Sequence, residues 1–263
     1  MLREILVRMR QGRRTMKYPA ASPPAMPDRY RGRPELSGDP CPEGCVACSE
    51  ACPTEALEPG IGHLDLGACI FCGDCASACP RGAIRFTLDY RMAVSRRQDL
   101  MLAEGQRAMT LAHALDRKAK RLFGRSLRLR ELSAGGCNAC EADVNVLNTL
   151  AWDLGRFGVQ FVASPRHADG LLVTGPVTGN MELALRKTYD AIPEPKIVIA
   201  VGACSIAGGP YRGHPQILGG AGSSLSVDLY VPGCPPHPLT ILDGLLRLLG
   251  RIDDRDGSRD RET

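Results

Sequence analysis

Leu127-Arg128-Leu129-Arg130-Glu131-Leu132-Ser133-Ala134-Gly135-Gly136-Cys137-Asn138-Ala139-Cys140 decides how the second half of this 263-residue chain folds. Leu127 and Leu129 alternate with Arg128 and Arg130, the period of a strand. Gly135-Gly136 turns the chain, and a helical stretch follows to about residue 155. The same order recurs downstream. Residues 159–163 and 170–174 read as strands, 181–192 as a helix, 196–201 as a β-branched strand, 227–231 as a last strand and 239–250 as a last helix. Short apolar strands alternating with helices predict an α/β domain over residues 127–250, its parallel sheet covered on both faces.

Cys137 and Cys140 form C-x2-C after the first strand of that domain, Cys204 follows the strand at 196–201, and Cys234 follows the one at 227–231. All leave the carboxyl ends of predicted parallel strands, where open α/β sheets place their ligands. Four thiolates at one edge suit one 4Fe–4S cluster, and Gly202, Gly208, Gly209 and Gly233 would let the backbone approach its sulfurs. A buried structural thiol is the other reading of any one of them.

Eight of the twelve cysteines crowd into residues 41–79. Cys69, Cys72, Cys75 and Cys79-Pro80 form C-x2-C-x2-C-x3-C-P, the iron–sulfur run of bacterial ferredoxins, whose fourth cysteine serves the other cluster. Cys41, Cys45, Cys48 and Cys52-Pro53 repeat it with one departure: Pro42, Glu43 and Gly44 make the first gap three residues, and Gly44 could absorb the extra one. The crossover assigns Cys41, Cys45, Cys48 and Cys79 to cluster one and Cys69, Cys72, Cys75 and Cys52 to cluster two. Zinc also takes four cysteines, but as two separated C-x2–4-C pairs. The twelve thus divide into three 4Fe–4S sets with none left over.

Around these motifs the chain is less regular. Leu2, Ile5, Leu6 and Met9 share one face of a short helix, with arginines around it. Residues 1–35 carry nine Lys/Arg against Glu4, Asp28 and Glu35, a net +6 in a chain whose total is +4. This arm either docks on its own protein or meets a partner or membrane surface. Residues 1–40 therefore read as a basic arm and a Pro-rich linker, 41–90 as a small α+β two-cluster ferredoxin domain, 91–126 as a connecting helix and 251–263 as a charged tail. The connecting helix rests on Leu111, Leu115, Ala119 and Leu122 aligning on one face. No stretch approaches eighteen apolar residues, and the first fifteen lack the pattern of a signal peptide. A reduced, intracellular setting is expected, in which cysteines bind metal rather than form disulfides.

Residues 1–90, including Lys17-Tyr18-Pro19 and Arg29-Tyr30-Arg31-Gly32-Arg33, resemble the two-cluster ferredoxin subunit of complex I and of membrane-bound hydrogenases. The resemblance implies a basic segment lying along a membrane arm. Gly136-Cys137-Asn138-Ala139-Cys140-Glu141, Ser164-Pro165-Arg166-His167-Ala168-Asp169, Pro193-Glu194-Pro195-Lys196, Val201-Gly202-Ala203-Cys204 and Val231-Pro232-Gly233-Cys234-Pro235-Pro236 resemble the proximal-cluster small subunit shared by complex I and group 4 nickel–iron hydrogenases, including formate hydrogenlyase. That resemblance implies a flavodoxin-like fold, with the reaction carried out on a large partner subunit. Complex I subunits place two adjacent cysteines at the first position. The spacing of Cys137 and Cys140 resembles the hydrogenase branch. It also implies a proton-route role for Glu141, although an acid in a first helical turn equally suits the helix dipole. Arg166 matches an arginine near the partner interface, with a surface salt bridge as its other reading. His237 stands where many relatives have arginine. Thr178 and Asn180 read as caps of the following helix.

The sequence as a whole reads as an iron–sulfur electron-transfer subunit of a hydrogenase-like, formate hydrogenlyase-type complex, not catalytic alone. It would be cytoplasmic, peripheral on the inner face of the cytoplasmic membrane. A quinone- or NADH-linked complex I-like dehydrogenase subunit is the alternative within electron transfer. A standalone soluble carrier is a third reading. An iron–sulfur redox sensor binding nucleic acid would need a DNA-reading motif, and none is present.

Overall fold

The computed structural model describes residues 2–12, 14–37, 41–59, 62–106, 108–115, 123 and 126–252. The chain opens with helix α1 (Leu2–Gln11), whose Ile5, Leu6, Val7 and Met9 are all exposed. The expected arm is therefore a helix with its apolar face uncovered.

The cysteine-rich region is built from very short pieces. They are β1 (Pro34–Leu36), α2 (Ala47–Glu50), β2 (His63–Asp65), α3 (Asp74–Ala78), β3 (Ile84–Phe86) and β4 (Met101–Ala103). β1 pairs antiparallel with β3, and β2 with β4. Two of these strands lie outside residues 41–90, so the unit reaches further in both directions than the cysteine spacing suggests.

The rest is a five-stranded parallel sheet of β5 (Leu127–Ser133), β6 (Val159–Phe161), β7 (Gly170–Thr174), β8 (Ile197–Val201) and β9 (Leu229–Val231), in the order β6-β5-β7-β8-β9. Numbered within the sheet this is 2-1-3-4-5, the flavodoxin-like order. β7 and β8 bury every position, because helices cover both faces; this is why they read as apolar runs without alternation. The helices are α4 (Ala139–Val146), α5 (Gly179–Asp190), α6 (Ala203–Ala207) and α7 (Pro238–Leu248). Leu242, Leu245 and Leu246 of α7 join Leu129, Ile199 and Val231 on one face. On the other face Leu171, Val173, Val198 and Ala200 meet Leu185 of α5. This second layer continues into Leu57, Leu64, Leu66, Leu100 and Leu102, so the two regions share one core.

One of the two readings of the arm holds for residues 15–18, which dock on the protein's own α/β domain and are not free. Met16 N–H donates to Ala151 O at 3.0 Å, Arg156 donates to the carbonyls of Met16 and Tyr18, and the Tyr18 hydroxyl donates to buried Asp243 at 2.7 Å. Residues 95–115 do not form the expected helix. A 3-10 turn at Arg97–Leu100 leads into β4, and residues 108–115 are irregular; 116–122 lie outside the described residues. The segment is tied down instead: Val94 bridges Tyr230 of β9, Arg97 pairs with Asp65 at 2.5 Å, and Leu115 N–H bonds Leu248 O. Tertiary pairing supplied partners for this backbone, which the helical pattern did not reveal. Of the charged tail, Arg251 and buried Ile252 are described and the remainder is not.

Candidate iron–sulfur sites

All twelve cysteines are free thiols. The fold gathers them into three neighbourhoods. Cys45 and Cys79 act electrostatically on Cys41, and Cys79 and Cys41 act on Cys48, which sits on α2. Cys69 has Cys75, Cys52 and Cys72 as its neighbours, and these four line one small enclosed cavity with Thr54, Leu64 and Phe86. Cys140 faces Cys204, Cys234 and Cys137. The neighbourhoods lie within electrostatic reach of one another: after burial, the charge of Cys48 contributes to raising the Cys75 thiol, and that of Cys72 to raising Cys234.

The local backbone makes room for sulfur and points N–H groups at it. Ala56 donates to Cys52 Sγ at 3.2 Å, Phe71 to Cys69 Sγ at 3.3 Å and Ala83 to Cys79 Sγ at 3.3 Å. Gly44 has φ +73° in open space, as the extra residue of its loop requires. At Gly202 a Cβ would fall 2.5 Å from Cys140 Sγ, so a side chain there would displace the thiol. Burial pushes the Cys69 thiol up to about 12 and those of Cys75 and Cys204 to about 11. Such thiols give up their protons to a metal rather than to water. Burial also acts upward on Cys79, but the N–H groups of Ala83, Arg81, Gly82 and Ile84 outweigh it and lower the value. Soft thiolates with N–H donors to sulfur are the donor set that iron–sulfur clusters use. Among the described residues no three His, Cys, Asp or Glu side chains gather tightly enough for a single ion.

The third neighbourhood sits at the carboxyl edge of the sheet, beside the point where strand order reverses between β5 and β7. Asn138, at φ +70°, starts α4 between Cys137 and Cys140. Cys137 and Cys234 are exposed, so this edge is open. Glu141 is buried in the first turn of α4, its Oε1 accepting from the Thr174 hydroxyl at 2.7 Å. Burial acts upward on its carboxyl, but hydrogen bonds from Ser133, Thr174 and its own N–H prevail and lower it. Arg166 is exposed and has no ion-pair partner among the described residues, so the salt-bridge reading finds no support. His237 caps α7, its Nδ1 accepting from Leu239 N–H at 3.1 Å, and burial lowers its value. Thr178 occupies the N-cap position of α5, but its side chain makes no capping bond; its methyl lies against Gly135 instead.

Glu131 escaped the sequence reading. It follows Leu127 and Leu129 in the same two-residue register, an acid where an apolar side chain is due. Its Oε1 is buried without a hydrogen-bond partner, and burial followed by the charge of Glu141 raises its carboxyl to about 7.

A flavodoxin-like sheet with four thiols on its carboxyl edge, preceded by a region that carries eight cysteines, defines an iron–sulfur electron-transfer subunit of an oxidoreductase. The family model described as NADH ubiquinone oxidoreductase, 20 Kd subunit, matches residues 137–248, and that of the 4Fe-4S binding domain matches residues 63–85. The probable membrane-bound hydrogenase subunit of Pyrococcus furiosus is 41% identical over 132 residues, covering 50% of this chain and 79% of the relative. An NADH-quinone oxidoreductase subunit of Clostridium beijerinckii is 42% identical over 118 residues, 44% of this chain and 70% of its own. Formate hydrogenlyase subunit 7 of Escherichia coli is 38% identical over 135 residues, 51% of this chain and 53% of its own. The chain belongs to the NADH ubiquinone oxidoreductase 20 Kd subunit family, extended by a 4Fe–4S binding region that precedes it.

Proposed function

We propose that the chain holds three 4Fe–4S clusters, on Cys41, Cys45, Cys48 and Cys79; on Cys69, Cys72, Cys75 and Cys52; and on Cys137, Cys140, Cys204 and Cys234. The observation that carries this is the grouping of the thiols: Cys52, Cys69, Cys72 and Cys75 line one cavity, and Cys137, Cys140, Cys204 and Cys234 stand on loops at the carboxyl edge of the sheet. Bound 4Fe–4S clusters accept and release single electrons. The residues would hold them, with Cys48, Cys69 and Cys75 buried from water and Cys137 and Cys234 open toward a partner.

That partner is a large catalytic subunit of a hydrogenase-like complex of the formate hydrogenlyase type. The C-x2-C spacing of Cys137 and Cys140 favours this over a quinone- or NADH-linked dehydrogenase. Glu141, fixed by Thr174 beside Cys140, is the residue proposed for a proton route at that contact. The exposed apolar side of α1 and its arginines suit peripheral attachment to a membrane arm. Among the described residues no helix is long and apolar enough to cross a membrane.

Anaerobic purification of the full chain with its partner tests the reading. About twelve iron and twelve sulfide per chain are expected, with nickel in the large subunit. Stoichiometric zinc with little sulfide would overturn the cluster reading. A nickel-free partner would turn the reading to the dehydrogenase alternative. The isolated chain should take up electrons from a strong reductant yet show no hydrogen turnover with an artificial dye.

A further inference from the structure

We propose that Arg31 is a positioning charge: a cation held between the second and third clusters that favours their reduced states. The inference rests on the reading that Cys72 and Cys234 each ligate a cluster. Arg31 belongs to a segment pinned on both sides. Tyr30 meets the His237 ring edge-on at 5.3 Å, while Gly32 N–H donates to Thr87 O and Arg33 N–H to Asp89 O, both at 2.8 Å. The backbone on either side of Arg31 is therefore fixed. Arg31 Nη1 donates to the Phe71 carbonyl at 3.5 Å. A Cβ built on Gly73 would fall 2.9 Å from Arg31 Nε and 3.3 Å from its Cζ. Phe71 and Gly73 flank Cys72, so the charge lies along the loop that carries this thiol.

The same arginine lines a cavity of about 260 Å³ with Phe71, Asp143, Cys234, Pro235 and His237. One side chain thus borders both thiol sets, on the loop that carries Cys72 and in the cavity that Cys234 lines. No carboxylate pairs with it among the described residues, and the acid in the cavity, Asp143, has its carboxyl raised by burial. Gly73 is part of the arrangement, because any side chain there would displace the guanidinium.

A positive charge beside a group that gains an electron stabilises the reduced form by Coulomb attraction. Among the described residues no contact joins Arg31 to the first thiol set, so the effect is graded by position. Arg31 is solvent-exposed, so salt weakens it.

The experiment is a redox titration of the full chain in its complex, followed by electron paramagnetic resonance, for wild type, Arg31→Gln and Arg31→Lys. Arg31→Gln is expected to disfavour reduction of the second cluster about tenfold, about 59 mV for a one-electron couple. The third cluster should shift less and the first not at all. Arg31→Lys should restore most of the shift, and added salt should narrow the gap between Gln and wild type. Unchanged potentials in Arg31→Gln, or an equal shift of all three, would overturn the inference. So would loss of second-cluster iron that Lys does not restore, which would make Arg31 a structural brace. A wild-type chain with no second or third cluster signal would overturn the underlying reading, and the inference with it.

Discussion

The cysteine-rich region and the parallel-sheet region reach the same chemistry from opposite starting points. In the first, thiols are part of the core: Cys48 and Cys75 pack with Leu57, Leu64 and Ile84, and Cys69 packs with Ala56 and Ala68. Among the described residues no strand there exceeds three residues. In the second, the sheet closes its core with leucine, isoleucine and valine, and its thiols stand at the rim, two of them exposed. The proposed clusters would hold the first region together, whereas the proposed third cluster would decorate the second. The difference is between a fold that needs its cofactor and one that offers it a site.

Paired single substitutions give the largest test of this contrast. Cys52→Ala removes the sulfur that accepts the Ala56 N–H and lines the second cavity. About four iron should be lost, and amide protection should fall across residues 52–75. Cys204→Ala should also lose about four iron, while the amides of β7 and β8 keep their protection. Hydrogen exchange on both variants decides between them. Equal loss of protection in the sheet for Cys204→Ala would break the comparison.

The two regions also differed in how much of them could be read. The sheet was legible because β7 and β8 are short β-branched and leucine runs with glycine at their ends, and all three cysteine loops fell at carboxyl ends of strands. The 4Fe–4S binding region was legible because Cys69, Cys72, Cys75 and Cys79-Pro80 carry the C-x2-C-x2-C-x3-C-P run. The pairing partners of the short strands were not. Pro34–Leu36 finds Ile84–Phe86 across the whole cysteine region, and Met101–Ala103 returns to His63–Asp65. Three residues carry no period, so such pairings are set by tertiary contacts alone. Leu111 and Leu115 matched a helical spacing for the same reason: a few leucines in a row of helix formers fit a face whether or not a helix forms. Tyr18 looked like part of a proline-rich linker because its partner, Asp243, lies 225 residues away.

That long-range bond is the middle test, since it assigns an N-terminal segment to the C-terminal fold. Asp243 is bonded both by Tyr18 and by Arg247 Nε at 2.8 Å, and all three side chains are buried. Tyr18→Phe keeps the ring and its edge-on contact with Tyr90 but leaves Asp243 one donor short. The cost should be about 1–3 kcal/mol, the range for an unsatisfied buried group. Thermal unfolding should show the loss, and limited proteolysis should find residues 14–18 more open. An unchanged melting point would show that Arg247 alone satisfies the carboxylate.

The smallest effect belongs to Glu131, at the rim of the sheet region, and its sign follows from linkage. Burial, and then the neighbouring Glu141 charge, raise its carboxyl from 4.5 to about 7, against a lowering contribution from Arg130 on the same strand. Between those values the folded chain keeps a proton that the unfolded chain has released. Stability therefore falls as pH rises through that window, and the penalty is complete above about 7. Glu131→Gln removes the charge. The variant should match wild type at pH 4 and exceed it at pH 8. The gain should be about 1 kcal/mol, because the side chain is only half-buried and solvent screens the repulsion. Melting temperatures of both chains across that pH range measure the gap. A gap that does not widen with pH would show that Glu131 carries no raised carboxyl, and the rim would then hold its acids without strain.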